Sequence, residues 1–250
     1  MPKIAVIADS NCGIKPSEEE KYGLHILPMP VIIDGKTYCE GTDISLEEFY
    51  QRQSQGAVIS TSQPSPGDVT AMWDRLLETH DEIVFIPMSS GLSSTCQTSL
   101  LLAAEEPYKG KVFVVDDHRI SVTQAVAALE ARNLAEAGKS AAEIKEILEK
   151  EAMDATIYIA VDTLEYLKKG GRITAAAAAL GTVLRVKPVL TIQGEKLESY
   201  AKARGMKSAF QTMLDALKHD VSTPLAPLRR EAKLKIGLAN TAMEADKLEA

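Results

Sequence analysis

Three clusters of hydroxyl and amide side chains are placed where ligand chemistry is common: Asp9-Ser10-Asn11, Thr61-Ser62-Gln63, and Ser89-Ser90-Gly91-Leu92-Ser93-Ser94-Thr95. Each follows an extended or apolar run, and open α/β sheets bind ligands beyond the carboxyl ends of their strands. Neutral donors of this kind suit an anion, because a buried carboxylate without partners is strongly disfavoured. Ser93, Ser94 and Thr95 fall in the first turn of an expected helix carrying Leu100, Leu101 and Leu102. Free backbone N–H groups and the positive end of the helix dipole add to the hydroxyls there. The plainer alternative is that Ser93 or Ser94 only caps the helix. Asp9 and Ser10 are turn formers or site-lining groups by the same reasoning. Arg172 and Arg204 neighbour glycines at element junctions, where a guanidinium can be aimed at an acid. For Arg172, beside Lys168 and Lys169, the alternative is a solvated face.

Other chemistries find less support. The first strand is followed by neither a Walker A motif nor a dinucleotide glycine fingerprint. Gly91-Leu92-Ser93-Ser94-Thr95 resembles the start of a nucleophile elbow, but Thr95 stands where the second glycine belongs. His25, His80, His118 and His219 are scattered, with no metal spacing and no evident serine partner. A hydrolase or transferase acting on a small acyl or phosphorylated substrate at this Ser/Thr cluster therefore stands as the alternative reading. Cys12, Cys39 and Cys96 are an odd, scattered set that suits a reduced interior; Cys96 reads as a small buried filler.

The chain of 250 residues carries a formal net charge of -7, which argues against nucleic acid or an anionic membrane surface as the main partner. An anionic ligand then needs locally placed donors. The N-terminus lacks a signal-peptide pattern, and the longest uncharged apolar run, 173–184, is too short to span a bilayer. A cytoplasmic protein without an integral membrane segment is expected.

The elements that must position these clusters follow from pattern. The runs 3–8, 83–86 and 111–115 suit buried strands of a parallel sheet. Residues 24–33 read as strand broken by Pro28 and Pro30, hence near an edge, returning through Asp34-Gly35-Lys36. Helices are expected after Pro16, from the Ser45/Glu48 capping box to about residue 54, around Met72, Trp73, Leu76 and Leu77, and over 122–137 and 141–151. Beyond residue 156 the texture changes. A strand at 157–161, a short helix at 164–167, a basic glycine turn at 168–173 and an apolar helix at 175–184 are expected. A hairpin (187–192 and 197–201), a helix over 206–218, a loop at 222–227 and a last strand at 234–238 complete the chain. The expected fold class is α/β: a parallel-sheet α/β domain over 1–153 and a smaller α+β domain over 154–250.

Asp9-Ser10, T-S-Q-P at 61–64, S-S-G-L-S at 89–93, V-D-T-L-E-Y-L-K-K-G-G-R-I at 161–173, K-P-V-L at 187–190 and R-G at 204–205 together resemble the DegV family. These are bacterial fatty-acid-binding proteins that serve as the lipid-binding subunit of fatty acid kinase. The resemblance runs from residue 3 to about residue 215. It implies a long-chain fatty acid, such as palmitate, in a tunnel between the two domains, with no cofactor. Thr61, Ser62, Ser93, Ser94 and Arg204 would hold the carboxylate. A separate ATP-binding kinase subunit would phosphorylate it to an acyl phosphate, so the chain alone would not be an enzyme. Ser10, Arg172, Ile173 and Leu180 are candidates for tunnel lining or partner contact, and transient contact with a membrane surface is implied as well. The family continues past residue 238 to a glycine-rich loop bearing a histidine near the carboxylate. This sequence ends at Ala250 without it, so the second domain is expected to be incomplete at its C-terminus.

Overall fold

The computed structural model describes residues 2–179, 186–231 and 233–239. In chain order its elements are β1 (Ile4–Asp9), α1 (Glu19–Tyr22), β2 (His25–Leu27), β3 (Pro30–Ile33), β4 (Lys36–Cys39), α2 (Leu46–Ser54), β5 (Ile59–Thr61) and α3 (Pro66–Leu77). Then come β6 (Glu82–Ile86), α4 (Thr95–Ala103), β7 (Val112–Val114), α5 (Val122–Glu136) and α6 (Ala141–Lys150). The C-terminal part holds β8 (Ile157–Ala160), α7 (Glu165–Lys169), α8 (Ala175–Ala178), β9 (Val186–Ile192), β10 (Glu198–Arg204), α9 (Met206–Ser222) and α10 (Ala226–Arg230).

The fold is mixed α/β. A parallel sheet in the order β2-β1-β6-β7 is accompanied by two antiparallel sheets, β4-β3-β5 and β10-β9-β8. Apart from His25, Glu82 and Asp9 at their ends, the parallel strands are apolar because both faces are covered. Successive side chains point to opposite faces, so Val84 and Ile86 pack with Ala127, Ala128, Ala131, Ile144 and Leu148 of α5 and α6. Ile83 and Phe85 pack on the other face with Val69, Met72, Trp73 and Leu76 of α3 and Cys96 of α4. Three alanines on α5 let that helix lie close to the sheet. Four parallel strands ending side by side place the loops after β1, β6 and β7 along one rim.

The third sheet divides its faces by the same rule. Val189 and Ala203 pack against Ala209 and Met213 of α9. Leu190, Ile192, Ile157 and Ile159 point the other way, into an apolar cluster shared with Met29, Met88 and Leu92 of the N-terminal part. That cluster joins the parallel sheet's rim to the antiparallel sheet. No helix among the described residues is long and apolar enough to cross a membrane.

Several expected elements differ. The segment 24–33 is two strands in two sheets: β2 is an edge of the parallel sheet, while β3 is central in its own. Proline tolerates that position because Pro30 is the first residue of β3, where no ladder bond is lost. α9 runs on to Ser222, and part of the expected 222–227 loop begins α10. The expected strand at 234–238 is not formed. Ile236 and Leu238 are exposed, and among the described residues this apolar run has no partner strand whose ladder it could join. The apolar helix expected over 175–184 is seen as α8, and its remainder, with Leu180, lies outside the described residues.

Candidate functional site

The loop after β6 is held by its own backbone and by neighbouring main chain. Pro87 ends the strand, and backbone hydrogen bonds then hold each following turn. Ser89 N donates to Arg119 O at 2.8 Å, and Leu92 N and Ser93 N both donate to Ser89 O, at 3.0 and 3.2 Å. Met88 N donates to Asp9 Oδ2 at 2.7 Å. The loop delivers Ser93 and Ser94 to the start of α4. Ser94 occupies the cap position, yet its side chain makes no cap hydrogen bond. Ser93 Oγ accepts from Thr95 N at 3.2 Å and shares a hydrogen bond with Thr95 Oγ1 at 2.8 Å. The capping alternative thus accounts for Ser93 in part and for Ser94 not at all.

Thr61 closes β5 opposite Val31 of β3, so the antiparallel register fixes where the Thr61-Ser62-Gln63 turn leaves the sheet. Gln63 Oε1 accepts from Thr98 Oγ1 at 3.2 Å, tying that turn to α4. The C-terminal part supplies the opposite wall. Gly171, at φ +66, turns the chain after α7. Ile173 then bridges to Leu197, with Leu197 N donating to Arg172 O at 2.9 Å and Thr174 N to Leu197 O at 3.0 Å. This pairing sets Arg172 beside Lys196. Arg172 Nε donates to Leu92 O at 3.3 Å, so the guanidinium reaches across to the β6–α4 loop.

Together these residues enclose a cleft of about 400 Å³, lined by Thr61, Ser62, Gln63, Ser90–Ser94, Gly170–Arg172 and Lys196. Its donors come from four separate segments. Leu92 belongs both to the cleft lining and to the apolar cluster, so the polar cleft adjoins that cluster at this residue. Such an arrangement can hold an acidic headgroup and shelter a hydrocarbon tail. Among the described residues no histidine lines the cleft, and no group of three His, Cys, Asp or Glu can hold a metal. Burial pushes the Cys12 thiol up to about 11 and the Cys96 thiol to about 12, which leaves both inert.

Thr61, Ser62, Ser93 and Ser94 are brought together; Arg204 is not. It sits exposed at the end of β10, paired in register with Val186, and among the described residues the cations that line the cleft are Arg172 and Lys196. Ser10 lies outside the lining. Its hydroxyl donates to Glu40 Oε2 at 2.6 Å and accepts from Met29 N at 3.1 Å, and so braces the turn before β3. Ile173 is buried in the apolar cluster. Sequence reasoning did not single out Lys196; its signal was its place in the hairpin turn, two residues after Gly194.

A second contact closes the rear of the same junction. Ser89 Oγ donates to Gly194 O in the β9–β10 turn. At Gly91 the lack of a side chain matters for close approach. A Cβ there would meet Gly194 O at 2.5 Å and Glu195 Cα at 2.6 Å. His118 packs on Gly194 from the other side, and its neighbour Asp117 is fully buried. Burial pushes the Asp117 carboxyl up to about 7, and only its Oδ1 has a partner, Arg119 N at 3.1 Å.

Comparison with known proteins agrees with this architecture. The family model described as "Uncharacterised protein, DegV family" matches residues 3–250. A DegV domain-containing protein of Deinococcus radiodurans is 32% identical over 220 residues, which is 88% of this chain and 78% of that protein. Among solved structures, a DegV family protein from Thermus thermophilus, described for its fatty acid binding, superposes with TM-score 0.77 at 34% identity. The match covers 87% of this chain and 77% of that one. A stearic acid-binding protein from Eubacterium ventriosum gives TM-score 0.79 at 26% identity, covering 88% and 77%. With the family model spanning nearly its whole length, the chain belongs to the DegV family.

Proposed function

We propose that this chain binds one long-chain fatty acid, with the carboxylate at the Thr61 and Ser93 hydroxyls and the acyl chain in the apolar cluster below. A separate ATP-dependent kinase subunit then reaches the headgroup through the open cleft and converts it to an acyl phosphate. The observation that carries this reading is the continuity at Leu92. Hydroxyls and two cations surround a cleft of about 400 Å³, and Leu92 of its lining also packs in the cluster containing Met29, Met88, Ile173, Leu190 and Ile192. A tail withdrawn from water there gains roughly 0.8 kcal/mol per buried methylene. Met29 and Met88 are the pliable members of that cluster, suited to repacking around a chain. The relatives named for fatty acid and stearic acid binding support the ligand class.

Native mass spectrometry of the purified chain tests it. Wild-type protein is expected to retain a long-chain fatty acid. Thr61→Ala and Ser93→Ala should each weaken retention about tenfold, the size of one charge-assisted hydrogen bond. Equal lipid content in wild type and both variants would overturn the assignment of the headgroup.

A further inference from the structure

We infer that Asp9 is a positioning residue for the headgroup cleft, pinning the backbone from which the β6–α4 hydroxyl loop departs. This rests on the fatty-acid reading above and names the group that holds its anion site in shape.

Asp9 is the last residue of β1 and is fully buried. Its Oδ2 accepts from Met88 N at 2.7 Å, the residue immediately before Ser89. Its Oδ1 accepts from Asn11 N at 3.1 Å, Asn11 Nδ2 at 3.0 Å and Gln124 Nε2 at 3.1 Å. The same Gln124 amide donates to Ile86 O at 3.0 Å. One small network therefore grips the chain on both sides of Pro87, where the strand becomes the loop. Asn11 Nδ2 also meets Met88 Sδ at 3.1 Å, so the Met88 side chain is held as well as its backbone.

The residue type is informative. All four partners are donors, so the position requires a group that only accepts, at two oxygens and in two directions. An apolar replacement would leave Met88 N, Asn11 N and one N–H of the Gln124 amide without acceptors, the amide keeping only its bond to Ile86 O. Yet buried ionic groups seldom raise stability over a well-packed apolar core. The carboxylate is better accounted for by what it orients. Binding groups must be held within a fraction of an ångström by the shell behind them. Ser93 answers to Thr61 across a cleft, and the tie from Gln63 to Thr98 reaches α4 rather than the loop before it, so the loop's departure point is set at Met88.

The test is Asp9→Asn in the full chain, delipidated and titrated with a long-chain fatty acid and with the alcohol of the same chain length. The amide keeps an oxygen for the three donors on the Oδ1 side and turns an N–H₂ toward Met88 N, which breaks that bond with almost no change of shape. Expected is a loss of about tenfold in affinity for the acid with the alcohol changed less than about twofold. Unchanged acid affinity, or equal loss for acid and alcohol, overturns the inference, the second because it marks a general structural defect. A wild-type chain that binds neither compound instead sinks the fatty-acid reading, and this inference with it. Should Asp9→Asn fail to fold, Asn11→Ala removes one bond to Oδ1 and the contact to Met88. It should give a smaller acid-selective loss, about threefold, and no loss overturns the inference.

Discussion

On either side of the shared apolar cluster, the N-terminal and C-terminal parts meet in two contrasting ways. At the front, Thr61–Gln63, Ser90 and Leu92–Ser94 face Gly170–Arg172 and Lys196 across about 400 Å³, with Gly91 on the border between this cleft and the rear. At the rear, the β9–β10 turn is pressed onto Ser89, Gly91 and His118 so closely that Gly91 has no room for a Cβ. The void there measures only about 10 Å³. The front is made of side-chain donors held apart, the rear of backbone in contact. A headgroup site needs both. Donors kept apart collapse onto one another or onto water unless a stiff joint nearby sets their spacing. The glycines at the rear are what allow that joint to be backbone on backbone.

If this division is right, the largest effect comes from prying open the rear. Gly91→Val puts its Cβ into Gly194 O and Glu195 Cα, main-chain atoms that cannot swing aside. It should lower stability by about 3 kcal/mol in urea unfolding and empty the cleft of lipid. Gly67→Ala is the matched control, since its nearest neighbour is a side-chain oxygen at 3.7 Å; it should stay within about 0.5 kcal/mol of wild type. A Gly91→Val chain as stable and as lipid-loaded as the control would show that the rear contact does not set the cleft.

The next effect is pH-dependent and also belongs to the rear. The Asp117 carboxyl titrates at about 7 when folded, against 3.8 for the ordinary group, because burial disfavours its charge. The folded chain therefore binds the proton more tightly than the unfolded one. Its contribution is fully present below about pH 4 and is lost as pH rises through about 7. Asp117→Asn should flatten this slope, gaining on the order of 2 kcal/mol at pH 8 and little or nothing at pH 4. The unpartnered amide N–H₂ offsets part of the gain. Urea midpoints from pH 4 to pH 8 measure it, and parallel profiles for the two chains would refute it.

The smallest effect concerns the front alone. Lys196 is exposed at the mouth and acts on an anion through partly screened charge. Lys196→Ala should weaken fatty acid binding about threefold in low salt, less in high salt, with stability within about 0.5 kcal/mol of wild type. A larger stability loss than binding loss would mean that the front, too, is structural.

Much of the fold was legible because its signals are local. The apolar runs of β1 and β6, the hydroxyl turn that follows β6 and the capping box at Ser140 can each be read within a few residues. The hydroxyl half of the site was legible for the same reason. The cationic half was not. Arg204 and Arg172 looked alike in sequence, each beside a glycine, and only the β9–β10 register turns one to solvent and the Ile173–Leu197 bridge turns the other to the cleft. The break of residues 24–33 into two sheets was signalled by its prolines, but which sheet each piece joins depends on partners far along the chain. The apolar run at 234–238 reads as a strand, but local composition says nothing of pairing, and among the described residues it pairs with none.

The amino-acid sequence by itself determined which residues carry donors, which runs are buried, and where strands give way to helices, since these follow from side-chain chemistry and short-range backbone preference. Tertiary structure alone decided that Thr61 and Ser93 share a cleft with Arg172 and Lys196, and that Asp9 stands behind Met88. Those contacts join segments far apart in the chain, and their geometry is set by strand register and by the packing of two sheets rather than by any local preference.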